Sequence, residues 1–158
     1  MKVEDYLKSK VVVKPPYMGR VASMMVTYER PGLLTKTVAS YMASHNDPPP
    51  LVVFDDGSTS DEKIRELAKV RNMGAIVMEM KHTGFIDTWE QAFEWAHRMF
   101  LNRAKGLVLL EDDITFAKGW LDVLMIVCRK RRRSLPDAAA IRISTIQNGS
   151  CGFTLYRL

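Results

Sequence analysis

The sequence predicts an α/β fold: a doubly wound, mostly parallel sheet with helices on both faces, formed as one domain over residues 1–158. Three observations carry that expectation. Short apolar runs alternate with amphipathic stretches along the chain, the pattern of strands alternating with helices. The runs, such as Leu51-Val52-Val53-Phe54 and Leu107-Val108-Leu109-Leu110, are continuously apolar, as strands are when helices cover both faces of a parallel sheet. No internal repeat or low-complexity stretch interrupts the pattern, and a 158-residue chain with 47% apolar content can fill one sizeable core.

Val21 to Val26 reads as the first strand, and Thr27-Tyr28-Glu29-Arg30-Pro31-Gly32 as the loop after it. Leu34, Val38, Tyr41 and Met42 then recur at helical spacing. The prolines of Asn46 to Pro50 lack amide donors and end that helix. Leu51 to Phe54 is the second strand, running into Asp55-Asp56-Gly57-Ser58-Thr59-Ser60, a turn that closes on helix-capping residues. The next helix is expected to bury Ile64, Leu67 and Ala68. Ala75 to Met80 is the third strand, and after Gly84 the residues Phe85, Thr88, Trp89, Ala92, Phe93, Ala96, Met99 and Phe100 trace one helical face. Leu107 to Leu110 is the fourth strand and delivers Glu111-Asp112-Asp113 to its carboxyl end. From Trp120 a helix buries Leu121, Leu124, Met125 and Cys128, then meets Arg129-Lys130-Arg131-Arg132-Arg133, charges that suit a helix C-terminus. Ala138 to Ser144 is the last predicted strand. Met24, Met25, Met78, Met80, Met125, Trp95 and Trp120 fall on core positions and read as packing residues.

The net charge of +5, from 23 basic and 18 acidic residues, suits an anionic substrate without requiring one. No stretch approaches the roughly 20 apolar residues of a membrane span, and the first ten residues lack the apolar centre of a secretory signal. The expectation is a soluble, cytoplasmic protein without a membrane span. Cys128 and Cys151 have no spacing that would suggest zinc or a disulfide framework.

Ligands of doubly wound sheets bind beyond the carboxyl ends of the strands, where the loops beginning at Thr27, Asp55 and Glu111 converge. Burying three adjacent carboxylates there is costly in repulsion and desolvation unless a cation compensates. Hard oxygen ligands select Mg²⁺ or Mn²⁺, and a site with one or two carboxylates leaves positions for phosphate oxygens. A solvated acidic turn is the alternative. Asp55-Asp56-Gly57-Ser58 reads as an Asx-turn, or as a site whose carboxylate accepts from a nucleobase imide or a ribose hydroxyl while Gly57 admits a close backbone. Tyr28 suits stacking on a base and Arg30 suits a diphosphate, or both are surface residues.

At residues 21–124 the chain resembles the family-2-like glycosyltransferases of the Rossmann-like GT-A fold. VTYERPGLLTKTVAS is similar to that family's V-T-Y-N-R-P-x-x-L opening, which implies that Thr27, Tyr28, Glu29 and Arg30 lie at the nucleotide. VVFDDGSTSDE resembles its V-V-D-D-G-S-x-D segment and implies Asp55, Asp56 and Gly57 at the base and ribose. HTGFIDTWEQAFEWA is similar to the helix that begins beside the donor, which implies His82 and Gly84 at the diphosphate edge and Trp89 nearby. LVLLEDDITFAKGWLDVL resembles the metal-binding D-x-D strand end in an E-D-D form. There the last acid, Asp113, is the implied metal ligand, with Glu111 or Asp112 assisting. The resemblance thus implies a nucleotide-diphosphate sugar of UDP or GDP type and Mn²⁺ or Mg²⁺. Glu29 and Glu90 replace common asparagines and Trp89 stands where many members carry arginine, which leaves the donor sugar open.

The family's acceptor-side acid follows the metal motif by many tens of residues, whereas 45 residues follow Asp113 here. Asp122 falls in a helix pattern, and Asp137 is the candidate base, although nothing in the sequence places it near a substrate. A truncated chain, a minimal enzyme and a donor-binding relic stay open, and donor binding is expected to exceed transfer. Gln147, Asn148, Ser150 and Arg157 are further polar candidates near the end. Two rival readings remain. The 129–133 cluster suits nucleic acid, and the two ideas combine in a glycosyltransferase with a DNA acceptor. A nucleotidyltransferase would use a similar sheet, but such proteins favour a Gly-rich basic first loop and VTYERPG has one glycine.

Overall fold

The computed structural model describes residues 21–100, 104, 106–126, 140–146 and 150–157. Strand β1 (Ala22–Thr27) leads through helix α1 (Leu33–Ala43) to β2 (Leu51–Asp55), and α2 (Asp61–Asn72) then leads to β3 (Ile76–Glu79). Helix α3 (Phe85–Phe100) returns to β4 (Gly106–Leu110). A short helix α4 occupies 120–126, followed by β5 (Ala140–Ile146) and β6 (Ser150–Arg157). The sheet order is β3-β2-β1-β4-β6-β5.

The first four strands are parallel, as their apolar runs predict. They alternate between two cores. Met25, Leu51, Val53, Val77 and Leu110 face one side, with α1, α2 and α4 supplying Leu34, Val38, Tyr41, Leu67, Val70, Trp120 and Leu124. Met24, Val52, Phe54, Met78 and Leu107 face the other, where α3 supplies Ala92, Ala96, Met99 and Phe100. Each fully buried Leu, Val or Phe side chain contributes about 1.5–3 kcal/mol, so both faces must be covered and both are.

The chain end, expected to offer polar contacts, forms a strand over 150–157, inserted antiparallel between β4 and β5. Ser150 and Arg157 are its terminal residues. Helix α2 is turned relative to the expectation: Lys63, Glu66, Leu67 and Val70 are buried, whereas Ile64 is 50% exposed and Ala68 is exposed. Val70 completes an i, i+3, i+4, i+7 stripe with two charged members, and those charges have partners described below.

Register sets the ligand edge. Thr27 pairs with Asp55 and Asp55 with Glu79, while Met25 pairs with Leu110. Continuing the last pairing by two residues places Asp112 level with Thr27, so the loops after β1, β2, β3 and β4 leave the sheet at one edge. Asp137, Gln147, Asn148, Cys128 and the 129–133 cluster lie outside the described residues. Among the described residues no helix is long and apolar enough to cross a membrane.

Candidate functional site

One half of the site is a clamp around Asp112. This carboxylate is buried, and it accepts from Thr27 Oγ1 at 2.6 Å and from Arg30 Nη2 at 2.5 Å. Its carbonyl accepts from Thr37 Oγ1 at 2.9 Å, which ties the strand end to α1. The other arm of Arg30, Nη1, reaches Asp113 Oδ2 at 3.4 Å. Asp113 is 39% exposed, and Arg30 is 58% exposed. The two neighbouring acids therefore differ: one is tied into the fold and the other faces outward. Glu111, half-buried, precedes them. Among the described residues no group of three His, Cys, Asp or Glu could hold a metal ion unaided.

The loop carrying Tyr28 and Arg30 is fixed from below. Glu29 adopts φ +44°, a left-handed conformation uncommon outside glycine. Its amide donates to Ser58 Oγ, and its carboxylate accepts from the Thr59 and Ser60 amides. The hydrogen bond with Ser60, followed by the Thr59 amide, lowers the Glu29 carboxyl from 4.5 to about 2. The buried Lys63 ammonium donates to the Arg30 carbonyl at 3.1 Å and to Glu66 Oε2 at 3.0 Å. Glu66 Oε1 accepts from the Gly32 and Thr35 amides at 3.0 and 2.8 Å. Helix α1 has no side-chain cap of its own at Gly32, so α2 supplies it. Burial pushes the Glu66 carboxyl up, but the Thr35 amide and Lys63 outweigh that and leave it lowered.

The second half lies beyond β2. Asp55 accepts from Ser58 N at 3.0 Å and Ser58 Oγ at 2.5 Å, and burial still raises its carboxyl above the usual value. Asp56, 2% exposed, accepts from Thr88 Oγ1 at 2.6 Å, from the Thr83 amide at 3.3 Å and pairs with His82 Nδ1 at 2.9 Å. Tyr28 stacks on the His82 ring at 4.5 Å between centroids with 14° between planes. A Cβ at Gly57 would lie 2.7 Å from the His82 backbone nitrogen, so glycine is required for this approach. Beside these residues a cavity of about 750 Å³ is lined by Asp55, Gly57 and Ser58, by Ile64, Ala68 and Arg71 of α2, by Met80 and Lys81, and by Gln91 and Trp95 of α3.

No family model matches the chain, and no curated protein matches it. Solved structures do match. S. aureus TarS 1–349 in complex with UDP-GlcNAc has 19% identity and a TM-score of 0.54, over 70% of this chain and 31% of that one. The mannosyltransferase PcManGT from Pyrobaculum calidifontis, in complex with GDP-Man and Mn²⁺, has 18% identity and a TM-score of 0.55, over 92% and 41%. This is a GT-A-type, Rossmann-like α/β fold. A cytidylyltransferase from Leptospira borgpetersenii also matches, at 8% identity and a TM-score of 0.54, over 89% of this chain and 60% of that one. The GT-A-type fold alone therefore does not distinguish sugar transfer from nucleotidyl transfer. The chain spans less than two thirds of each of these structures.

Of the residues singled out in the sequence, the fold brings Thr27, Arg30, Asp112 and Asp113 into one clamp and Tyr28, Asp56, Gly57 and His82 into one cluster. Gly84 stands at the start of α3, where its carbonyl accepts from the Thr88 amide. Asp55 lines the cavity, with both carboxylate oxygens on Ser58. Glu29 turns toward the start of α2. Trp89 is half-buried and packs against the core under α3. Thr88, Ser58, Lys63 and Glu66 were missed as site residues. Thr88 and the Lys63–Glu66 pair carried a signal, being polar positions on an otherwise apolar helical face and an oppositely charged i, i+3 pair.

Proposed function

We propose that this chain binds a nucleotide-diphosphate sugar of UDP or GDP type together with Mn²⁺ or Mg²⁺, and serves glycosyl transfer in the manner of family-2-like enzymes. The observation that carries this reading is the contrast at the β4 end. Asp112 is consumed by Thr27 and Arg30, while Asp113 stands exposed beside a guanidinium that already bridges both acids. An exposed hard oxygen donor such as Asp113 suits a cation once Arg30 turns away from it. Because too few protein ligands surround it, the remaining coordination falls to phosphate oxygens of the donor, as is usual for Mg²⁺. The residues thus fit a metal shared with substrate, with Asp113 as ligand and Glu111 beside it. When bound, the ion offsets the negative charge that grows on the departing diphosphate. Arg30, more than half exposed, is placed to turn from Asp113 to a phosphate.

The cavity beside Asp55 suits the nucleoside, with Gly57 and Ser58 in its lining. The nucleotide ligands of the matched TarS and mannosyltransferase structures support the donor class, and the Mn²⁺ of the latter supports the metal. The test is calorimetry with UDP, GDP and their sugars, with and without Mn²⁺. Metal-dependent affinity that Asp113→Ala removes is expected; unchanged affinity in that variant rules out the metal assignment. The cytidylyltransferase match favours a second reading, nucleotidyl transfer. It predicts pyrophosphate release from CTP or UTP with a phosphorylated acceptor, and the glycosyltransferase reading predicts none.

A further inference from the structure

We propose that Arg30 is a built-in counter-cation for Asp112 and Asp113 that keeps a free metal ion out, so that the metal enters only when an anionic ligand draws the guanidinium away. The inference rests on the metal reading above and adds an order of binding set by Arg30.

Two contacts put the guanidinium where a cation would stand. Its Nη2 donates to Asp112 Oδ1 at 2.5 Å, and its Nη1 reaches Asp113 Oδ2 at 3.4 Å. Asp112 is buried and its other oxygen accepts from the neutral Thr27 hydroxyl, so Arg30 supplies the opposite charge that a buried carboxylate requires. A guanidinium does not lose its proton in a protein. This charge therefore leaves the two acids only if the side chain swings away. The backbone beneath it is pinned. The Arg30 amide donates to the Tyr28 carbonyl at 2.6 Å, closing a three-residue turn on Glu29. The Arg30 carbonyl accepts from Lys63 Nζ at 3.1 Å, and Glu66, the buried partner of Lys63, holds the Gly32 amide. Beyond that fixed pivot the side chain is 58% exposed, which lets it swing without moving the loop.

Charge makes the two cations mutually exclusive. A divalent ion on Asp113 would stand beside a guanidinium that touches the same carboxylate, and like charges at contact distance repel. With Arg30 in place the acids are also partly neutralised already, so a lone metal ion gains little from them. With Arg30 gone and nothing in its place, Asp112 would be left buried and unpaired. An anionic ligand resolves both conditions, because it gives the guanidinium a new partner and brings oxygen ligands for the metal. Anion and metal then bind together, each favouring the other by linkage, whereas the metal alone is held off.

The test is titration of the full chain with Mn²⁺ alone, no nucleotide present, read by the electron paramagnetic resonance of the free ion. Wild type is expected to bind weakly and Arg30→Gln about tenfold more tightly. Arg30→Lys, which keeps the charge, is expected to stay near wild type. Asp113→Asn in the Arg30→Gln background is expected to remove the gained affinity, which locates the ion at these acids. A second measurement needs no variant: in wild type the NMR signal of the Arg30 Nε–H is expected to stay in place with Mg²⁺ alone and to move when Mg²⁺ is added with UDP or GDP. Equal Mn²⁺ affinity in wild type and Arg30→Gln overturns the inference and leaves the donor reading standing, as does an Arg30 signal unmoved by metal and nucleotide that bind together. Arg30→Lys binding as tightly as Arg30→Gln also overturns it. Nucleotide affinity that is the same with and without Mn²⁺ removes the metal assignment and this inference with it.

Discussion

Asp112 and Asp113 are neighbours in sequence but sit in opposite environments, and a substitution at each should separate structure from binding. Asp112→Ala leaves the buried Thr27 hydroxyl and one arm of Arg30 without an acceptor, a loss of about 1–3 kcal/mol in stability, to be read by urea denaturation. Asp113→Ala removes an exposed side chain whose contact with Arg30 is 3.4 Å. It should shift stability by less than about 0.5 kcal/mol while abolishing the Mn²⁺ dependence of nucleotide affinity. A large stability loss at Asp113, or none at Asp112, would reverse these assignments. That three acids end β4 was legible in the sequence. Which of them turns inward was not, because that choice depends on Thr27 and Arg30, more than 80 positions away.

Helix α2 shows the same limit for an element. Hydrophobicity places Ile64 and Ala68 inside, yet the buried stripe contains Lys63 and Glu66. The pair is tolerated because its remaining hydrogen-bonding capacity is met by the Arg30 carbonyl and the Gly32 and Thr35 amides. Sequence spacing reveals an i, i+3 pair but not these distant backbone partners. Glu66→Ala should therefore cost about 3–5 kcal/mol, since it leaves the Lys63 ammonium buried and unpaired and also uncaps α1. Lys63→Met combined with Glu66→Met should cost less than Glu66→Ala alone, because the buried charge is gone and the missing cap remains. A double variant as unstable as the single one would show that the cap, not the ion pair, dominates. Strand β6 was missed for a different reason. Ser150 to Arg157 alternates Cys151, Phe153 and Leu155 with Gly152, Thr154 and Tyr156, the pattern of an antiparallel strand, which the polar residues at its two ends mask.

For the whole molecule, the fold class was legible because continuous apolar runs require two covered faces, which the two cores supply. The ligand edge is organised otherwise, by carboxylates that hold backbone amides: Glu29 at Thr59 and Ser60, Asp55 at Ser58, Asp56 at Thr83, and Glu66 at Gly32 and Thr35. Acid should consequently loosen this edge in a defined order. Burial raises the Asp55 carboxyl above its usual 3.8, so Asp55 protonates early as pH falls. A raised value means that the native state binds this proton more readily than the unfolded chain, so the step does not destabilise the fold. Glu29 and Glu66 have the opposite sign. Their stabilisation is complete above the unfolded value of 4.5 and is lost as pH falls below it, for Glu29 through about 2. In an NMR titration the Ser58 amide should therefore shift above pH 3.8, and the Thr59 amide only near pH 2. Unfolding free energy should begin to fall below about pH 4.5. Glu29→Gln should flatten part of that decline and, because the Glu29 charge is a minor contributor to the raised Asp55 carboxyl, move the Ser58 titration slightly toward lower pH. If the two amides titrated together, the carboxylates would be acting as one coupled cluster rather than as separate caps.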